Sequence, residues 1–119
     1  MILIVEDDAD NASAIREVLE DEGYAVSRAC DGADALKMLS TGPVPGLILL
    51  DYMMPEMDGS QLARVLKSDK RFADVPMVML TANGRAASRA LTGTIALCLS
   101  KPVELNLLLD TVRKYYKAA

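Results

Sequence analysis

The chain alternates short apolar runs with stretches where apolar residues recur every three or four positions. The first run, Ile2 to Val5, ends in acid: Glu6, Asp7 and Asp8. An apolar run this short, bounded by polar or turn-forming residues, predicts a strand buried on both faces. Ile15, Val18 and Leu19 then repeat at helical spacing, with Arg16, Glu17 and Glu20 on the other side. Asp8 or Asp10 suits the N-cap of that helix, and Gly23 its C-terminal end. Tyr24 to Ala29 predicts a second strand, and Asp31 caps a helix carrying Ala35, Leu36 and Leu39.

A Gly/Pro connector, Thr41 to Gly46, leads into the unbroken run Leu47 to Leu50, which closes on Asp51. Pro55 breaks the chain after it. Asp58 suits the cap of a helix starting near Gly59, with Gln61 placed for a capping box. Leu62, Val65 and Leu66 mark that helix, and Ser68 to Asp74 reads as a polar loop. Pro76 opens the run Met77 to Thr81, as proline can at the first residue of a strand. Asn83 to Leu91 is Ala-rich and predicts a short helix, and Ile95 to Leu99 a fifth strand. After Lys101 and Pro102, the residues Val103, Leu105, Leu108, Leu109 and Val112 mark a last helix. Strands alternating with helices in this way predict an α/β fold with a parallel sheet and right-handed crossovers.

Composition narrows this picture. At 119 residues the chain predicts a single domain, 1–119, and 51% apolar residues suffice for its core. A net charge of -4 argues against binding to nucleic-acid phosphates. No apolar run approaches the length of a bilayer span, and Met1 to Val5 lacks the features of a signal peptide. Cys30 and Cys98 form no metal-binding spacing, so a reduced, cytoplasmic setting is expected. The seven methionines read as core gap-fillers. There is no histidine, which excludes a histidine base, metal ligand or phosphohistidine carrier within this chain.

In a parallel sheet the carboxyl ends of all strands meet on one edge, where ligands of open α/β sheets bind. The first strand delivers Glu6, Asp7 and Asp8 there, the third Asp51, the fourth Thr81 and the fifth Lys101. Any one of them alone reads as a solvated strand-end group; together they predict a site. Carboxylates so gathered repel one another, and a divalent cation relieves the repulsion. All-oxygen ligands suit Mg²⁺ or Mn²⁺. Lys101 adds a cation and Thr81 a hydroxyl donor, so phosphoryl oxygens could be cradled around Asp51, a residue type that can form an aspartyl-phosphate.

The motifs carry a resemblance. Asp51-Tyr52-Met53-Met54-Pro55-Glu56-Met57-Asp58-Gly59 fits D-x-x-M-P-x-M-D-G, and the acidic pair Glu6-Asp7, Thr81-Ala82 and Lys101-Pro102 complete the set. Over essentially its whole length the chain resembles the receiver domains of two-component response regulators, CheY-like. The resemblance implies a flavodoxin-like (βα)5 three-layer sandwich with a five-stranded parallel sheet of order 2-1-3-4-5. It implies Mg²⁺ held by Asp7, Asp51 and the backbone carbonyl of Met53, with Glu6 reaching it through water, and a Lys101-Pro102 peptide that is usually cis. It also implies that Asp51 receives a phosphoryl group from the phosphohistidine of a sensor histidine kinase or histidine phosphotransfer protein, with Thr81 and Lys101 assisting. The domain would then be a switch acting on an output partner or domain, catalysing only its own phosphorylation and dephosphorylation. It would act as a stand-alone regulator or as a receiver cut from a longer protein.

Two features depart from the family pattern. Cys98 stands where Tyr or Phe is usual, and Gly93-Thr94 lies in a slightly short stretch between Thr81 and Lys101. Two other readings compete. A Mg²⁺-dependent phosphatase with an aspartyl nucleophile usually needs an acid two residues after it, where this chain has Met53. A receiver-like interaction module with a dead site would not need the complete residue set. A Rossmann-type nucleotide site is disfavoured because no G-x-G-x-x-G follows the first strand.

Overall fold

A computed structural model describes residues 1–54, 59–82, 97–101 and 103–117. The strands are β1 (Ile2–Val5), β2 (Val26–Ala29), β3 (Leu47–Asp51), β4 (Met77–Thr81) and β5 (Leu97–Ser100). They form one five-stranded sheet of order β2-β1-β3-β4-β5, and every adjacent pair is parallel. The helices among the described residues are α1 (Ala9–Asp21), α2 (Gly32–Thr41), α3 (Gly59–Lys67) and α4 (Leu105–Tyr115).

The apolar runs of β1, β3 and β4 are uninterrupted because these central strands are covered on both faces. Leu3, Val5, Ile48, Leu50, Met77 and Met79 point to one face, where they pack with Ala35, Leu39, Leu62, Ala63 and Leu66 of α2 and α3. Ile2, Ile4, Leu47, Leu49, Val78 and Leu80 point to the other, against Ala12 and Leu19 of α1 and Leu108 and Val112 of α4. Successive residues of a strand face opposite sides, so two cores grow from the same five strands and the three-layer sandwich follows. Truncating a fully buried member such as Leu49 to alanine removes contacts on a face that cannot collapse, at about 2–5 kcal/mol.

Local signals decide where the elements begin. Of the two candidate caps for α1, Asp8 is used: its Oδ1 accepts from the backbone N–H groups of Asp10 at 2.9 Å and Asn11 at 3.2 Å. Asp31 caps α2 through the N–H of Asp34 at 2.8 Å. Gly23, just past α1, has φ +94°, a left-handed conformation that glycine adopts without steric cost.

Several expectations shift. β2 starts at Val26 rather than Tyr24, whose ring instead meets Tyr116 edge-on at 5.1 Å. Val65 is 43% exposed and Leu105 49% exposed, so neither belongs to the buried face of its helix. The stretch Ser68 to Asp74 is not wholly polar in its packing: Phe72 is buried, and Lys67 Nζ donates to the carbonyls of Ala73 and Val75 at 2.8 and 3.3 Å. The proposed Asp58 cap, the helix at Asn83 to Leu91, Ile95 and Ala96 of the fifth strand, and the Lys101-Pro102 peptide lie outside the described residues.

Candidate functional site

All four site-bearing strands end on the same side of the sheet. The last rungs of the ladder fix the height at which each chain leaves it. Glu6 N–H donates to Ala29 O at 3.1 Å, Tyr52 N–H to Leu80 O at 2.9 Å, and Lys101 N–H to Thr81 O at 2.8 Å. Glu6, Asp51 and Thr81 are thereby buried at adjacent strand ends, while Asp7 stands at the solvent-facing lip.

The site closes around Asp51. Lys101 Nζ lies 2.9 Å from Asp51 Oδ1 and 3.4 Å from Glu6 Oε1. One carboxylate oxygen each from Glu6, Asp7 and Asp51 fall within 4.8 Å of one another. Gly59 makes this compactness possible. A Cβ there would sit 2.6 Å from the Asp51 carbonyl oxygen and 2.9 Å from Met79 Sδ, so the first turn of α3 can abut the end of β3 only without a side chain. Its N–H donates to Tyr52 O at 3.0 Å. A cavity of about 520 Å³ opens beside the cluster, lined by Glu6, Asn11 and Lys101 on its polar side and by Ala14, Ile15, Leu80 and Val103 on its apolar side.

Among the described residues the charges are unbalanced: one ammonium faces three carboxylates. Burial, and then the Asp51 carboxylate beside it, push the Glu6 carboxyl up to about 7 against the partial relief given by Lys101. For Lys101, burial works to lower the pKa, but the hydrogen bond and charge of Asp51, with Glu6, outweigh it and hold the ammonium above its ordinary range. Glu6 Oε2 is buried and has no hydrogen-bond partner among the described residues. An orphaned buried carboxylate oxygen, in a group of three carboxylates short of positive charge, is what a hard divalent cation would satisfy. The donor set therefore fits such an ion.

Asp8 does not join the cluster, since its carboxylate caps α1. Met53, expected to offer only its carbonyl, turns its side chain outward at 68% exposure, leaving the backbone as its possible contribution. Cys98 is partly buried on β5, beside its register partner Met79 of β4, and carries no polar contact to the cluster among the described residues. Sequence reasoning missed Arg28. Its guanidinium reaches from β2 to the backbone carbonyls of Glu6 and Asp7, at 3.0–3.2 Å. The single available signal was a long cation in an otherwise small and apolar strand. Asn11 was also unmarked; it lines the cavity beside Glu6 and works to lower the pKa of that carboxyl.

A parallel sheet of this order with an acidic pair, a buried aspartate and a lysine at its carboxyl edge defines a class, and the chain belongs to it: the response regulator receiver domain family, whose model matches residues 2–113. It is a receiver domain of two-component systems, CheY-like in fold. Among its relatives, the polar-differentiation response regulator DivK of Brucella ovis is 30% identical over 116 residues, covering 96% of this chain and 94% of DivK. The sensor histidine kinase RcsC of Salmonella typhimurium is 37% identical over 117 residues, covering 97% of this chain but 12% of RcsC. Among solved structures, the signal receiver domain of a signal transduction histidine kinase from Syntrophus aciditrophicus superposes with a TM-score of 0.87 at 34% identity, covering 96% of this chain and 87% of that one. The receiver domain of sensor histidine kinase PA1611 from Pseudomonas aeruginosa, which holds a magnesium ion in its active site cleft, gives 0.86 at 28% identity and covers 96% and 94%.

Proposed function

We propose that the chain, as one domain over 1–119, is a phosphorylation-operated switch in which Asp51 is the phosphoacceptor. The observation that carries this is the position of Asp51: buried at the end of the central strand, 2.9 Å from Lys101 Nζ and within the group of three carboxylates. An Asp51 oxygen attacks the phosphorus of a phosphohistidine, and the P–N bond breaks as the imidazole leaves. Lys101, already at the carboxylate, binds a phosphoryl oxygen as charge spreads over the equatorial positions. Thr81, one strand over, offers its hydroxyl to a second oxygen and moves toward it when the group is bound. Asp7, Asp51 and the Met53 carbonyl would hold Mg²⁺ (Mn²⁺ as a substitute), with Glu6 one water away, and the ion would supply neutralisation of the carboxylates and of the incoming phosphoryl group.

The chain has no histidine of its own, so the donor acts in trans: a sensor histidine kinase or histidine phosphotransfer protein. Its turnover is limited to its own phosphorylation and hydrolysis. No described helix is long and apolar enough to cross a membrane; with both cysteines free, we place the domain in the cytoplasm. The relatives span both contexts, DivK being matched over 94% of its length and RcsC over 12%.

The test is labelling of the purified chain by acetyl phosphate with Mg²⁺ and with chelator. Labelling that requires the metal supports the reading, and equal labelling under chelation contradicts the metal's part in it.

A further inference from the structure

Arg28 lies on β2, paired in register with Ile4 of β1. Its guanidinium does not form an ion pair among the described residues. It is instead committed to backbone. Nε and Nη2 donate to Glu6 O at 3.1 and 3.0 Å, and Nη2 also donates to Asp7 O at 3.2 Å. Glu6 N–H to Ala29 O is the final rung between these strands. Beyond it the β1 chain leaves the sheet, and among the described residues the Arg28 fork supplies donors to its next two carbonyls. The half-buried Glu6 carbonyl requires a donor, and a planar fork with several N–H groups can also reach the exposed Asp7 carbonyl beyond it, where an ammonium serves as a point.

Those two peptide planes carry the site. The orientation of the planes at Glu6 and Asp7 sets the Cα–Cβ directions of the two carboxylates that, with Asp51, gather within 4.8 Å. We propose that Arg28 is a positioning residue for the cation site: its fork across the Glu6 and Asp7 carbonyls holds the β1–α1 turn in the geometry that binds a divalent ion. The inference rests on the phosphoacceptor reading above and adds to it a residue outside the acidic cluster. Without the fork, the turn must be ordered by the ion itself, and affinity falls because binding then carries the ordering cost.

A charge effect would run the other way. Deleting a cation beside carboxylates strengthens their hold on Mg²⁺, so the two roles differ in sign. The experiment is calorimetric titration of the full chain with MgCl2 for the unaltered protein, Arg28→Lys and Arg28→Met, together with amide hydrogen exchange at Glu6 in metal-free protein. Arg28→Lys keeps the charge without the fork; Arg28→Met keeps much of the stem without either. Positioning predicts that both variants bind Mg²⁺ about tenfold more weakly, in the range seen when partners of metal ligands are removed, and that both exchange faster at Glu6, whose N–H forms the last rung to Ala29 O. It also predicts that acetyl phosphate labelling returns to within about twofold of the unaltered rate at saturating Mg²⁺, since the chemistry at Asp51 is untouched. Unchanged or tighter Mg²⁺ binding by Arg28→Met, or unaltered affinity in Arg28→Lys, overturns the proposal while labelling of the unaltered protein still stands. If Arg28→Met does not fold, Arg28→Lys alone decides. If the unaltered chain neither binds Mg²⁺ nor labels, the phosphoacceptor reading falls and this one with it.

Discussion

At the amino-terminal end of the sheet, long cations meet backbone carbonyls: Lys67 on Ala73 and Val75, Arg71 on Leu39, Lys117 on Asp74. Gly46 lets the chain entering β3 lie against the C-terminal segment, with Lys117 N–H donating to Gly46 O at 3.0 Å. No two carboxylates among these residues compete for the same space. At the carboxyl end the same strands gather Glu6, Asp7 and Asp51 against one lysine, and leave a buried carboxylate oxygen without a partner among the described residues. One end is built to be satisfied. The other holds repulsion that a ligand relieves. Substitutions at the first end should therefore change stability and leave the chemistry alone, whereas substitutions at the second should change the chemistry and can raise the stability of the metal-free chain.

The largest difference is expected for Asp51. Asp51→Asn should reduce acetyl phosphate labelling to background while the metal-free protein melts no lower than the unaltered one, because a repelling charge has gone. Labelling that persists, read by phosphate-affinity electrophoresis, breaks the contrast at its centre.

Next comes pH. Above about 4.5 the unfolded chain has released the Glu6 proton, whereas the native metal-free chain keeps it up to about 7. The native state then binds more protons, so stability must fall as pH rises through that window, by about 3 kcal/mol in all at 1.36 kcal/mol per pKa unit. The chain has no histidine to add a slope of its own in this range. Urea unfolding between pH 5 and 8 should show the decline, and Glu6→Gln should flatten it. A flat profile in the unaltered protein would mean that Glu6 is not held protonated.

Gly46→Ala probes the other end. Its Cβ would press on the Lys117 carbonyl oxygen and lie 2.8 Å from Tyr116 Cε2. Overpacking of this kind costs about 1–3 kcal/mol. Thermal melting should register the loss, and Mg²⁺-dependent labelling at a temperature where the variant is folded should be unaltered. Gly59→Ala, crowding the Asp51 carbonyl, should lower both.

The smallest effect is expected at Cys98. A partly buried cysteine behaves as a small hydrophobe, so Cys98→Ala should cost under about 1.5 kcal/mol and retain the amide shift changes induced by beryllofluoride. Thr81→Ala should still accept the phosphoryl group but lose most of those changes. Equal loss in both variants would make Cys98 part of the switch.

Much of this contrast was legible in the sequence because the central strands are doubly buried. An apolar run such as Leu47 to Leu50 has one interpretation when it is short and bounded, and the charged residue that ends it must then lie at the sheet's edge. By that logic Glu6, Asp7, Asp51, Thr81 and Lys101 share one edge on the sequence pattern alone. It failed where a residue's partner is backbone or lies far along the chain. Arg28 bonds to carbonyls, which leave no mark in composition. Phe72 has only Ala73 as an apolar neighbour in a polar stretch, so periodicity could not find its burial. Tyr24 extends the apolar pattern of β2 but is claimed by Tyr116 from the far end of the chain. Val65 and Leu105 fit helical spacing yet lie at the rim of the face they were assigned to.

The account turns on one covalent bond, that between phosphorus and an Asp51 oxygen. Borohydride reduces an acyl phosphate of aspartate to homoserine, which marks the residue permanently. The chain is phosphorylated with acetyl phosphate and Mg²⁺, reduced, digested and sequenced by mass spectrometry. The account predicts homoserine at position 51, dependent on Mg²⁺ and absent without the phosphodonor. Homoserine at another aspartate, or none at position 51 while phosphate is incorporated elsewhere, would contradict it.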